Sequence, residues 1–255
     1  MNNLLINSLH YRKYPELEPY FNSEPFNSII ISTVDKRATM LDNGYIANLT
    51  IKFWRLLQIS KLLATKKGDT DYCDFLLEVF LNQALSCTDT LATTLNHFLQ
   101  LQLSGQKLAV QNEGFIIKLK QTISGFQDIE KIDSANTWVR DKLYPYRNIV
   151  HHMGESSGYV QMTNDNLSVE CCLTLKEDEW DFVTMRQDLK TYPSHTAFLI
   201  ASNTINLPNI ITGATGDAHK YIRIDDFFDV WTNKIFDLIK TFISAQVWCQ
   251  KNLKP

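Results

Sequence analysis

Apolar residues recur at steps of three and four over the first half of the chain, which is the spacing of α-helices. One such stretch begins at Asp35 or Asp42 and ends near Lys67, before Gly68. The next stretch ends near Ser104 and carries two adjacent apolar stripes. The first stripe consists of Cys73, Leu77, Phe80, Ala84, Cys87, Leu91, Thr94 and Phe98. A helix with two apolar stripes contacts two neighbours, so we expect this helix at the centre of a bundle.

Two further segments follow: a short apolar segment over residues 114–124, which ends at Gly125, and a predicted helix over residues 128–144. Pro145 interrupts the second of them, because proline lacks an N–H and its ring clashes with the preceding turn. The same residue suits the first turn of a helix, where that N–H would be unpaired. We therefore expect a new short helix over 145–153, which Gly154 terminates.

The last helix is predicted to begin at Asp225 or Asp226 and to reach about Cys249. Its apolar face needs a partner, and the bundle is the nearest one, so we expect the helix to pack back on the bundle. The residues on this face are Phe228, Trp231, Ile235, Leu238 or Ile239, Phe242, and Ala245 or Gln246.

The segment between the helices has a different pattern. Alternating positions over 159–163 and a β-rich run over 167–175 predict a hairpin with its turn at Asn164–Asn166. A further strand is predicted over 197–201. Seven acids and three bases lie between Thr163 and Lys190, which indicates an acidic, solvated surface.

Together these elements predict a mainly α fold: an elongated antiparallel helical bundle with a small β-rich insert and a long C-terminal helix. The predicted divisions are an irregular N-terminal segment, the bundle, a β-rich or loop insert, and a C-terminal helix that packs on the bundle. Their ranges are 1–33, 34–155, 156–222 and 223–255.

Composition narrows the class of protein. With 255 residues, 44% of them hydrophobic and 21% charged, the chain is expected to fold around a sizeable core. A net charge of −3 argues against a general electrostatic coat for nucleic acid. Five cysteines without a CxxC pair fit neither a zinc ribbon nor a disulfide scaffold. The chain has no signal-peptide pattern and no apolar run of about 18 residues, so we expect a cytoplasmic protein without a membrane segment.

Reactive side chains are densest between Tyr144 and Gly154, where two of the six histidines lie. On a helix, Arg147 and His151 are four residues apart, as are Asn148 and His152 (a spacing that puts side chains on one face). A guanidinium binds phosphate through two parallel hydrogen bonds, and an imidazole takes or gives a proton near neutral pH. The pattern therefore suits chemistry on a phosphodiester, and the predicted helix start at Pro145 would favour the anion further.

This segment, Arg147-Asn148-Ile149-Val150-His151-His152, resembles the R-x4-6-H motif of the HEPN superfamily in its Arg-Asn-x-x-x-His form. Proteins of that family are helical bundles that typically dimerise and bring two copies of the motif into one cleft. Many are metal-independent endoribonucleases of toxin–antitoxin, phage-defence and RNA-processing systems. Others are non-catalytic nucleotide-binding or assembly modules. The resemblance covers about residues 40–155.

The resemblance implies a role for each residue of the motif. Arg147 would bind and polarise the scissile phosphate, and Asn148 would orient the histidine or contact RNA. His152 would act as general base or acid on the ribose 2′-OH, which gives a 2′,3′-cyclic phosphate. His151 and Tyr146 are auxiliary candidates. The implied partners are a second copy of the chain, RNA and an antitoxin-like protein, with no metal or other cofactor; a non-catalytic interaction or ligand-sensing module is the alternative function.

Other interpretations of these residues stay open. Arg147 could pair with an acid such as Asp141, while the histidines cap the end of the helix. Adjacent histidines could begin a metal site, although their side chains diverge on a helix. The segment Gly213–Asp217 could be a phosphate-binding nest or a plain turn. A series of basic residues with no acid between them could line an RNA cleft or form a solvated helix face. These residues are Lys52, Arg55, Lys61, Lys66 and Lys67.

Overall fold

The structure of the protein is a computed structural model. It describes residues 14–29, 36–66, 70–145, 147–148, 160–162, 170–175 and 220–252. The fold is mainly helical, as the sequence predicts. The helices of this part of the chain are α1 (Glu18–Phe21), α2 (Lys36–Lys66), α3 (Thr70–Leu99), α4 (Glu113–Thr122), α5 (Ile129–Trp138) and α6 (Ile224–Asn252). Among these described helices, none has the length and apolarity needed to cross a bilayer.

The chain forms two compact units. The first consists of Met1–Leu57, Leu81–Pro145 and Asn233–Pro255, and the second consists of Gln58–Phe80 and Tyr146–Thr232.

An aromatic cluster forms one part of the core of the first unit. The ring of Phe53, in α2, is fully buried and lies 5.0 Å from Tyr20 and 5.6 Å from Phe21. Phe236 of α6 approaches the same rings, at 5.6 Å from Phe53 and 5.9 Å from Phe26. Residues 14–29 are therefore held against α2 and α6. Within the predicted irregular range 1–33, residues 15–28 contain α1 and two 3-10 turns, Pro15–Leu17 and Phe26–Ser28.

The last helix also contacts the α4–α5 connection in this unit. The ring of Phe126 lies 6.2 Å from that of Trp248. At Gly125 a Cβ atom would lie 2.9 Å from two carbons of the Trp248 ring, so the tryptophan occupies the space that any other residue would need.

The second unit has its own aromatic contacts. Phe80 of α3 stacks on Phe228 of α6 with ring centres 4.1 Å apart. Phe227 lies 4.8 Å from Trp231, and both are buried.

The predicted core positions are confirmed along most of both faces. On α3 every residue of the first stripe before its last is buried, as is Leu95 on the neighbouring stripe: Cys73, Leu77, Phe80, Ala84, Cys87, Leu91 and Thr94. On α6 the whole predicted face is buried, including Trp231 and Phe242. The stripe is wrong at its last position, because Phe98 is only half-buried. Phe98 lies one residue before α3 ends, where the chain turns away and no longer covers the ring.

Leu91→Ala is expected to lower the free energy of unfolding by about 2–5 kcal/mol, because the side chain is fully buried and its removal leaves a cavity. Denaturant unfolding of the variant measures this difference. Leu62→Ala is the matched control, since Leu62 is 40% exposed and should change the free energy by no more than about 0.5 kcal/mol. Equal losses in the two variants would contradict the assignment of the stripe.

Helix α3 ends at Leu99, not near Ser104 as the spacing predicts. The side chain of Asn96 accepts a hydrogen bond from the N–H of Leu103 and donates one to its carbonyl. Gln100 and Gln102 have φ angles of 50° and 58°, a left-handed conformation that no helix continues through. The side chain of Asn96 thus replaces the backbone partners that the missing turn would have provided.

Helix α5 continues into a π-helical turn, Val139–Leu143, and Tyr144 and Pro145 after it are still helical. The N–H of Tyr144 donates to the carbonyl of Val139, five residues back. The predicted helix break at Pro145 is therefore wrong. The proline ring crowds the carbonyl one turn earlier, and the wider π turn accommodates it without ending the helix.

Three strands form an antiparallel sheet in the order β1 (Val160–Met162), β2 (Glu170–Leu175) and β3 (Lys220–Arg223). In the register of β1 and β2, Val160 lies opposite Cys172 and Met162 opposite Glu170. Strand β3, which the pattern did not predict, pairs with β2. The other residues of the predicted insert, including the strand over 197–201, lie outside the described residues, so the β-rich insert as a whole stays a prediction.

Candidate functional site

Two residues of the motif, Arg147 and Asn148, lie in the described part of the chain. Both are helical and half-buried. The Nη1 atom of Arg147 donates a hydrogen bond of 3.1 Å to Oδ1 of Asn148. This contact holds the guanidinium beside the amide.

The other site residues lie outside the described residues: Tyr146, His151 and His152. The predicted pairing of Asn148 with His152 and of Arg147 with His151 stays a prediction. Tyr144, just before the motif, is 41% exposed.

The backbone before the motif changes one argument for anion binding. Tyr144 and Pro145 are already helical, so Pro145 does not begin a new helix. Arg147 therefore gains no free helix N-terminus from a start at Pro145, and phosphate binding at this position depends on the guanidinium itself.

The π turn carries an ion pair that bears on the alternative interpretation of Arg147. Arg140 donates from Nε to Oδ1 of Asp141 at 2.7 Å and from Nη2 to Oδ2 at 3.0 Å. These hydrogen bonds lower the pKa of the Asp141 carboxyl, and its interactions with the charges of Arg140 and Lys142 act in the same direction. Both oxygens of the acid proposed as a partner for Arg147 are thus bound by Arg140.

A groove between α4 and α5, about 650 Å³ in volume, was not predicted from the sequence. Ile117 at its centre is 57% exposed. Ion pairs cross it at both ends, Lys120 with Asp133 at 2.6 Å and Glu113 with Arg140 at 3.5 Å. In the sequence, only Ile117 could have indicated this groove, because it is an isoleucine beside the apolar face formed by Phe115, Ile116 and Leu119.

The predicted basic set is only partly exposed. Arg55 and Lys61 are exposed, whereas Lys52 is half-buried and its carbonyl accepts a hydrogen bond from Gln83. Lys67 and the side chain of Lys66 lie outside the described residues. About two turns of helix α2 before Lys52, Tyr45 stacks on His97 with ring centres 4.3 Å apart and planes 25° apart. Both rings are half-buried, so each keeps an accessible part.

Neither a cysteine nucleophile nor a metal site finds support in the described part of the chain. Burial raises the pKa of the Cys87 thiol to about 12, so this cysteine is not an activated nucleophile. Within the described residues no cluster of His, Cys, Asp and Glu has the arrangement of a metal site. Cys171 and Cys172 lie in β2, where consecutive side chains alternate between the faces of the sheet. The candidate nest Gly213–Asp217 lies outside the described residues.

Comparison with known proteins gives no relative: no family model, no curated protein and no solved structure matches this chain.

Proposed function

We propose that the protein is a metal-independent endoribonuclease of HEPN type with Arg147, Asn148 and His152 as its site. The observation that carries the proposal is the hydrogen bond from Arg147 to Asn148, because it fixes the guanidinium beside the amide on a helix. The mainly helical fold, in which the motif follows long helices, is consistent with the resemblance.

The proposed reaction needs only a histidine for proton transfer, an arginine beside the phosphate and an amide that positions them. His152 takes the proton of the ribose 2′-OH, the 2′ oxygen attacks the phosphorus, and the bond to the 5′ oxygen breaks. The products are a 2′,3′-cyclic phosphate and a 5′-hydroxyl, which receives a proton from solvent or from the histidine. Arg147 stabilises the charge that builds on the phosphate oxygens in the transition state. Asn148 orients the histidine or contacts the RNA, and His151 and Tyr146 assist.

The proposed partners follow from the same resemblance. They are RNA, a second copy of the chain in a homodimer, and an antitoxin-like protein, in the cytoplasm. A non-catalytic interaction or ligand-sensing module is the competing function.

The test is incubation of cellular RNA with the wild-type protein and with His152→Ala, in EDTA. Loss of cleavage in the variant, with a 2′,3′-cyclic phosphate on the wild-type products, supports the proposal. Equal degradation by both proteins would assign the activity to a contaminant and favour the non-catalytic function.

Arg55→Gln is expected to weaken binding of single-stranded RNA uniformly across sequences and to lower the slope of log K against log salt by about 0.7. Arg55 is exposed, and no acid lies between Lys52 and Lys67. Fluorescence anisotropy with a 2′-O-methylated oligonucleotide measures binding without cleavage. Lys240→Gln, which removes an exposed cation from α6, is the control and should leave the slope unchanged. An unchanged slope for Arg55→Gln would make this set a solvated helix face.

A further inference from the structure

The groove between α4 and α5 has an unusual distribution of charge. Its charged lining residues are Glu113 and Lys120 on α4, with Asp133 and Arg140 on α5 or in the π turn. The two ion pairs show that the helices run antiparallel, since residue 113 lies beside 140 and residue 120 beside 133. Acid and base therefore alternate around the four corners of the groove, and the lining charges sum to zero.

Such an alternating square is complementary to itself. When a second copy faces the first with a two-fold axis parallel to the helices, Glu113 of each copy lies over Arg140 of the other. With the axis perpendicular to the helices, Glu113 lies over Lys120 and Arg140 over Asp133. Every corner meets the opposite charge in both arrangements, as an isologous interface requires.

The centre of the groove supplies the apolar contact. Ile117 is 57% exposed and Ile116 beside it is buried, so an apolar strip lies between the two charged ends. Asp141 binds Arg140 from the π turn and is not part of the groove lining. A facing copy would cover Ile117 with its own Ile117 and place a ring of charges around the contact, the usual anatomy of a small interface.

We propose that the α4–α5 face is the interface between two copies of this chain, with Ile117 at its centre and the four groove charges at its rim. The proposal rests on the proposed function only for the expectation of a homodimer. The interface itself follows from the charge pattern and from the exposed isoleucine.

The experiment is sedimentation velocity on the full chain at 1–100 μM, a range on the order of the affinities of small interfaces. The wild type should sediment with about twice the monomer mass of 29.5 kDa at high concentration. Ile117→Asp should raise the dissociation constant at least about 10-fold, because it places a charge at the centre of the interface. Phe75→Asp, at a 54% exposed aromatic residue of α3, is the matched control and should leave the dissociation constant unchanged.

Two charge exchanges extend the test and keep each ion pair within its own chain. Glu113→Arg with Arg140→Glu reverses one end of the groove, which preserves attraction for the parallel axis and creates repulsion for the perpendicular one. Adding Lys120→Asp and Asp133→Lys reverses both ends and restores attraction in either arrangement. Weaker dimerisation of the double variant, restored to wild-type strength in this quadruple variant, supports the proposal and selects the perpendicular axis.

Two results would overturn it: a monomeric wild type at 100 μM, or a dimer that Ile117→Asp leaves intact. Circular dichroism checks that each variant is folded. If Ile117→Asp is not, Ile117→Ala takes its place, because it removes the central apolar contact without adding a charge. Sedimentation does not measure RNA cleavage. A protein that dimerises through this face but does not cleave RNA would contradict only the proposed function. A protein that cleaves RNA but does not dimerise through this face would contradict only the proposed interface.

Discussion

Arg147→Ala is expected to slow RNA cleavage by about 10²–10³-fold, the usual loss when one preorganised donor to a transition state is removed. The guanidinium is held by Asn148 at 3.1 Å, so it needs little rearrangement to bind a phosphate oxygen. Arg147→Lys keeps the charge but not the two parallel donors, and should recover only part of the rate. Single-turnover cleavage of a defined oligonucleotide in EDTA measures each rate.

His152→Ala is expected to remove proton transfer, which contributes about 10²–10⁴-fold to the rate. His151→Ala is the matched control, because on the helix predicted for this segment consecutive side chains would diverge by about 100° and only His152 would share a face with Asn148. A full loss in His151→Ala with normal activity in His152→Ala would show that the motif is assigned one residue too late. Cleavage that stops in EDTA would contradict a mechanism without metal.

Arg147→Ala should also leave the affinity for uncleavable RNA within a few-fold of the wild type, since the interaction is expected to strengthen in the transition state. Anisotropy with a 2′-O-methylated oligonucleotide measures this affinity. A large loss of binding together with the loss of rate would mean that Arg147 serves ground-state binding, as in a ligand-sensing module.

Periodicity predicted the long helices because a buried face leaves a regular trace in the sequence. Cys73, Leu77, Phe80 and Leu91 recur at helical spacing and are all buried. The helix ends left no such trace. Helix α3 stops at Leu99 because the side chain of Asn96 binds Leu103, a contact that depends on local geometry and not on any pattern of apolar residues.

The error at Pro145 has a similar origin. Proline disfavours an α-helical turn, and from the sequence the simplest consequence is a break. The chain instead widens one turn into a π segment and continues helical through Pro145. A π turn contains one more residue than an α turn, and this small change in the spacing of apolar residues cannot be recognised in the sequence.

The α4–α5 groove could not be predicted, because it exists only once two helices pair. Glu113 and Arg140 are 27 positions apart, and Lys120 and Asp133 are 13 apart. No local pattern connects them. Strand β3 was missed for the same reason, since Lys220–Arg223 is a short, mixed segment whose strand character comes from pairing with β2.

Phe53→Ala is expected to lower the free energy of unfolding by about 3–5 kcal/mol. Phe53 is fully buried, and its ring contacts two rings of the N-terminal segment and one of α6. Truncation removes these contacts and leaves a cavity between elements that are far apart in the sequence, so the loss should exceed the transfer free energy of the side chain alone. Denaturant unfolding, followed by tryptophan fluorescence and by circular dichroism, measures the change.

Phe75→Ala is the matched control, since the same ring is removed from a position that is 54% exposed, and the free energy should change by about 0.5 kcal/mol or less. Phe21→Ala provides a second comparison, because Phe21 lies on the N-terminal side of the same cluster. If the segment from Tyr14 to Ile29 is docked in solution, Phe21→Ala and Phe53→Ala should each be strongly destabilising, and their double variant should lose less than the sum, because residues in contact are coupled. A Phe21→Ala variant as stable as Phe75→Ala would show that residues 14–29 do not contribute to the core and that α2 and α6 are held together without them. Strictly additive losses would show that Phe21 and Phe53 stabilise the fold independently of each other.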